Sequence, residues 1–223
     1  MKGPSAAPAP ATAPPSASPF SAPAEGVYAY ATHGYERISF GGARHDYPSE
    51  TFATARRRPG CQWELEHRVA KEHVETRLFC GEPGTFSFLQ QTIQVTFYGQ
   101  TNSSTVRCDP PEITARTGDA PSSQRQFACH LDNGDEVAET VTYLGPATVP
   151  IDGAEVAALH VLVEGRMSGQ VHGTSRIELW LHPQTGLTLR SVSHVQSTAP
   201  AFGTTVDYEE DASYLLEHLS PST

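Results

Sequence analysis

Cys61-Gln62-Trp63-Glu64-Leu65-Glu66-His67-Arg68-Val69-Ala70-Lys71-Glu72-His73-Val74-Glu75-Thr76-Arg77-Leu78-Phe79-Cys80 reads as two strands joined at their tip. Apolar and polar residues alternate on either side of Ala70-Lys71, the period-two signature of a half-buried strand. With the turn at Ala70-Lys71, Cys61 faces Cys80, Trp63 faces Leu78, Leu65 faces Thr76 and His67 faces Val74. One face of the hairpin is then apolar and closed by a disulfide. The chain has only four cysteines, so Cys108 is left to bond Cys129 across a Pro- and Ser-rich segment. Each bridge adds roughly 3 kcal/mol, mainly by restricting the unfolded chain. No Cys-x-x-Cys pair occurs, which argues against a zinc site or a thioredoxin-type site, and an even cysteine count fits an oxidising compartment.

The same alternation recurs outward from this hairpin. It predicts strands over 27–31, 36–40, 51–57, 62–68, 73–79, 85–90, 92–98, 104–108, 126–131, 136–144, 156–164, 174–182, 187–195 and 204–208. The segment 214–219 reads as a further strand. Asp132-Asn133-Gly134-Asp135 is a hairpin turn, because Asn and Gly tolerate positive φ; it lacks the ligand spacing of a calcium loop. Pro183-Gln184-Thr185-Gly186 is a second turn, with Pro presetting φ and Gly closing it. Short joints and little helical periodicity predict an all-β fold: one large curved antiparallel sheet that hides its apolar face as an incomplete β-barrel.

Domain organisation follows from composition. Nineteen of the first 25 residues are Ala, Pro or Ser, which predicts a disordered stalk over 1–25 and a single β domain over 26–223. Such stalks commonly follow an export signal, a lipidated cysteine or a membrane anchor, so Met1-Lys2-Gly3 is read as lying after an export element, with membrane proximity through that anchor. No stretch has the 18 or more apolar residues of a membrane-spanning helix. A net charge of −10 with 15 Lys and Arg argues against a nucleic-acid partner. The cluster Arg56-Arg57-Arg58 reads as a solvated strand end.

Trp180-Leu181-His182-Pro183-Gln184-Thr185-Gly186-Leu187-Thr188-Leu189-Arg190 resembles a hairpin of bacterial envelope proteins of the lipoprotein-carrier type, with His182 where Asp is usual. The preceding strand pair, joined through Met167-Ser168-Gly169, fits the same arrangement. The N-terminal half, through Phe97-Tyr98-Gly99-Gln100-Thr101 and Cys108-Asp109-Pro110-Pro111, is similar to uncharacterised actinobacterial exported proteins. The carrier resemblance implies a half-barrel with an apolar hollow that holds a lipid or lipoprotein segment.

No nucleophile, acid/base pair or cofactor motif has the spacing of an active site, so no catalytic residue and no cofactor is assigned. Gly-x-Ser-x-Gly is absent, and His172-Gly173-Thr174-Ser175 reads as a polar turn. Glu66-His67 and Glu72-His73 flank the hairpin tip, but His67 and His73 fall on opposite faces in this register, so no metal site is assigned. Phe86 and Phe88 share one strand face and Trp180 lies near Leu187 and Leu189; these three aromatics are the candidate apolar ligand face. The expected function is a non-enzymatic extracytoplasmic domain whose partner is an apolar ligand, a lipid or lipoprotein segment, or an envelope protein. The rival is a stalk-mounted interaction or sensory ectodomain with a filled core.

Overall fold

The structure, a computed structural model, describes residues 20–201 and 203–222. The stalk expected for residues 1–19 lies outside them. Thirteen strands follow one another: β1 (Gly26–Ile38), β2 (Arg44–Asp46), β3 (Glu50–Arg57), β4 (Gln62–Ala70), β5 (His73–Glu82), β6 (Thr85–Phe97), β7 (Gln100–Arg116), β8 (Ser123–Leu131), β9 (Glu136–Ile151), β10 (Ala154–Ser168), β11 (His172–Leu181), β12 (Thr188–Ala201) and β13 (Thr204–Leu216). They form a single antiparallel meander in which sequence neighbours are sheet neighbours. The strands are longer than the alternation alone suggested. Residues 36–38 and 214–216 are the ends of β1 and β13 instead of parts of separate strands.

The all-β, curved antiparallel sheet is as expected, and its ends meet in a ring of hydrogen bonds that is not a regular barrel. One edge of β1 pairs with β3 over 26–31 and with β2 over 35–37, while its other edge pairs with β13 over 30–38. Gly34 sits in the middle of that closing contact at φ 147°, and a Cβ there would press into the backbone of Asp211 and Ala212. The ring is thinnest between β7 and β8, which share three residue pairs ending at Cys108 opposite Cys129. Pro110 and Pro111 follow at once and have no N–H to continue the ladder, so the strands part there. The Cys108–Cys129 disulfide therefore staples the seam where hydrogen bonding stops, and an Arg125–Asp119 ion pair lies beyond it.

The bridges join the expected partners, Cys61 to Cys80 and Cys108 to Cys129. The register of the opening hairpin is different. Trp63 faces Phe79, Leu65 faces Arg77 and His67 faces Glu75, with a bulge between Arg68 and Ala70. The turn lies at Lys71-Glu72, one position later than the alternation placed it. A one-residue slip exchanges the faces of a strand, so His73, Glu75, Arg77 and Phe79 point inward and Val74, Thr76 and Leu78 outward.

The interior has two halves. Toward one end Trp63, Phe79 and Phe86 stack with ring centroids 4.7 to 6.2 Å apart, and Phe88 and Phe20 pack at their margins. Phe20 is 5% exposed and Pro23 is buried, while Ser21 N donates to Gln184 O at 2.8 Å. Phe20 and Pro23 thus pack against the folded body. Gly186, at φ 68°, lets the turn after β11 lie directly on the Phe86 ring. The opposite end is closed by Ile38, Phe97 and Val206. Between the aromatic stack and that apolar cap lies a polar layer.

Candidate functional site: a buried ionic layer inside the ring

Glu36 and His73 are both fully enclosed and form the centre of this layer. Glu36 Oε2 lies 2.8 Å from His73 Nδ1 and accepts from Tyr208 Oη at 3.1 Å; its Oε1 lies 2.7 Å from His45 Nδ1. His45, on β2, is the member of the layer that reaches toward solvent, and it stacks on Phe97 at 4.4 Å. Tyr47 Oη lies 3.2 Å from His73 Nδ1. On the other side of the imidazole, Nε2 is 3.3 Å from Glu75 Oε1 but makes no hydrogen bond. Glu75 Oε2 is held by Arg77 at 2.5 Å and by Gln91 Nε2 at 3.2 Å. Glu210 accepts from Ser193 Oγ at 3.1 Å, and its Oε2 lies 3.0 Å from Tyr208 Oη.

The electrostatics follow from this packing. Burial alone would depress His73, but its contacts with Glu36 and Glu75 push its pKa up to about 10, so it is an imidazolium at neutral pH. Burial likewise pulls Glu36 and Glu75 upward, and the cations beside them more than reverse it, leaving both below the ordinary carboxylate range. Burial and the Glu75 charge raise Glu210. Geometry supports that direction: Tyr208 Oη sits between Glu36 and Glu210 with one proton to give. Both contacts close when Glu210 keeps a proton of its own. His67, held by Thr51 Oγ1 at 2.8 Å, is lowered to about 4 by burial and stays neutral. The Tyr214 hydroxyl is also enclosed, has no hydrogen-bond partner among the described residues, and feels the charges of Glu210 and Glu75.

A second carboxylate pair lies at the β7–β8 seam. Glu112 is raised well above its ordinary value by burial and by Glu139 beside it, so it holds its proton. Thr114 Oγ1 donates to Glu112 at 3.1 Å, and Glu139 Oε2 touches the Cys129 sulfur at 3.3 Å. Between this pair, Arg77, and the rings of Phe79, Phe86 and Phe88 remains an interior space of about 70 Å³.

The candidate apolar face does not stay together. Phe86 and Phe88 point into the ring, with Phe86 1% exposed at the heart of the aromatic stack. Trp180 is on the outer face instead, stacked on His160 at 4.2 Å and under the Arg190 guanidinium at 4.7 Å. Its strand neighbours Leu179 and Leu181 are the residues that face inward. The expectation that His67 and His73 diverge is also overturned. The bulge at Val69 resets the phase, so both are buried in the same layer. Glu36, Glu75, Tyr208 and Glu210 carried no sequence signal beyond an ordinary strand alternation.

No family profile and no curated protein sequence matches the chain. Among solved structures, the crystal structure of the hypothetical lipoprotein YmcC from Escherichia coli (K12) is similar over 88% of this chain and 85% of that chain, at 14% identity and a TM-score of 0.35. At that level of similarity, function has to be read from this chain's own residues.

Proposed function

We propose that this chain is a non-enzymatic extracytoplasmic domain that acts through its outer surface, as an interaction or sensory module, and does not carry a lipid in its interior. The observation that carries this reading is the filled ring. Its apolar half is occupied by Phe20, Trp63, Phe79 and Phe86, its other half by the ionic layer, and the cavity beside Phe79, Phe86 and Phe88 measures about 70 Å³. Ligand pockets run to about 300–1,000 Å³, so this space is far too small for an acyl chain. Two disulfides among four cysteines support an oxidising compartment.

The outer wall is built for water. Arg56, Arg58, Glu64, Glu66 and Arg68 form a ladder of ion pairs across β3 and β4. At the rim near the ionic layer, an open groove of about 750 Å³ runs between the turn after β1 and the strands β11 to β13, lined by Arg37, Arg44, Thr174, Gln196, Asp207 and Glu209. Its mixed charges suit a polar protein surface better than an apolar chain. The test is native mass spectrometry of protein purified from an oxidising host, with solvent extraction of the same sample. The expected result is the bare chain mass with both bridges formed and no lipid in the extract. A stoichiometric lipid adduct overturns the reading.

A further inference from the structure

We propose that His73 Nε2, Glu75 and Glu210 bind one divalent metal ion of the Zn²⁺ type inside the ionic layer, with Glu36 orienting the imidazole. The ligand atoms of these three residues all lie within 4.8 Å of one another. His73 Nε2 and Glu75 Oε1 are 3.3 Å apart, already the ligand-to-ligand edge of a tetrahedral site with metal–ligand bonds of about 2.0–2.1 Å. One imidazole nitrogen with two carboxylates is a donor set that suits zinc or manganese better than calcium. Among the described residues, two other groups with comparable spacing include Cys61 and Cys80, or Cys108 and Cys129, whose sulfurs are bridged and carry no charge for a metal.

An independent observation points to a ligand. His73 Nε2 is fully buried without a hydrogen bond and faces the Glu75 carboxylate, and the Tyr214 hydroxyl beside the same carboxylates is enclosed and unpaired too. Buried polar atoms are almost always satisfied, and here, among the described residues, the Tyr214 hydroxyl has no hydrogen-bond partner and His73 Nε2 meets Glu75 across 3.3 Å without a hydrogen bond, both beside two carboxylates.

The surroundings are those of a supported metal centre. Glu36 Oε2 accepts from His73 Nδ1 at 2.8 Å, the carboxylate–imidazole contact that fixes a ligand histidine's tautomer and leaves Nε2 for the ion. Arg77 and Gln91 hold the second oxygen of Glu75, while Ser193 and Tyr208 hold Glu210.

The test loads the intact, disulfide-bonded chain by refolding it from urea in excess Zn²⁺ and then passing it through a chelating column. The expected result is one retained Zn²⁺ per chain, a first shell of nitrogen and oxygen without sulfur by X-ray absorption, and a ¹⁵N shift of a single imidazole Nε2 assigned to His73. Glu210→Gln, nearly isosteric and able to keep the Ser193 contact, should weaken binding at least about 100-fold, and Glu36→Gln by about 10- to 100-fold. His194→Gln and His218→Gln, both on the surface, should leave it unchanged. A wild-type chain that retains no Zn²⁺, or a retained ion that leaves the His73 Nε2 signal unmoved, overturns the proposal. So does tight binding that persists in Glu210→Gln.

Discussion

Phe86→Ala removes the ring on which the apolar half of the interior rests. Phe86 is 1% exposed and lies 5.2 Å from Phe79, 5.7 Å from Phe20 and 6.2 Å from Trp63, centroid to centroid. Truncation forfeits the transfer of a buried aromatic side chain, about 2 kcal/mol. It also opens a hole of roughly 100 Å³ that costs a further ~2.4 kcal/mol at about 24 cal/mol per Å³. The loss is about 4 kcal/mol, which for a domain of this size lowers Tm by about 8–16 °C. The Gly186 turn lies directly on the Phe86 ring, and the bond from Ser21 N to Gln184 O ties the Phe20 segment to that turn, so the walls have little freedom to collapse into the hole. Urea and thermal unfolding with both disulfides intact measure it, and Phe86→Leu, which refills most of the hole, should recover at least half. A loss below about 1 kcal/mol for Phe86→Ala would refute the picture of a filled, rigid aromatic half.

Other perturbations probe the remaining parts of the structure. Gly34→Ala should destabilise by about 2 kcal/mol or more, because its Cβ meets the backbone of Asp211 and Ala212 where the ring closes; hydrogen exchange should then speed up on β1 and β13 first. Replacing the pair Cys108 and Cys129 by Ser should cost about 3 kcal/mol, since the bridge closes a separation of 21 residues and staples a three-pair seam. His67 has a folded pKa of about 4, below its unfolded value of about 6.5. Its contribution is therefore present above pH 6.5 and lost as pH falls through about 4, on the order of 3 kcal/mol in all, and His67→Gln should flatten that part of the stability profile. Glu112 has the opposite sign. Its folded pKa is raised, so its contribution is present below about pH 4.3 and lost as pH rises, and Glu112→Gln should raise Tm more at pH 8 than at pH 4.

The fold was legible where local pattern carries the information. Asn133-Gly134 and Pro183 through Gly186 announce their hairpins, and the Trp63/Leu65 alternation with Cys61 and Cys80 announces a bridged strand pair. Ring closure was not legible, because the β1–β13 contact joins residues about 180 positions apart and depends on a glycine whose role appears only against Asp211. The ionic layer was hidden by a single bulge. Val74, Thr76 and Leu78 look like the inward face of β5, and the extra residue at Val69 sends His73, Glu75 and Arg77 inside instead. The same limit moved Trp180: alternation gives two faces, and the choice between them is made by strands far away in the chain.

The filled interior is tested most directly by titrating a fluorescent long-chain fatty acid into the native, disulfide-bonded protein and following saturation and displacement. No saturable binding is expected up to the probe's solubility, because about 70 Å³ between Phe86, Phe88 and Glu112 has no room for the chain. One-to-one saturable binding that is displaced by unlabelled fatty acid and abolished by Phe88→Trp would contradict it, and would return this chain to the carriers.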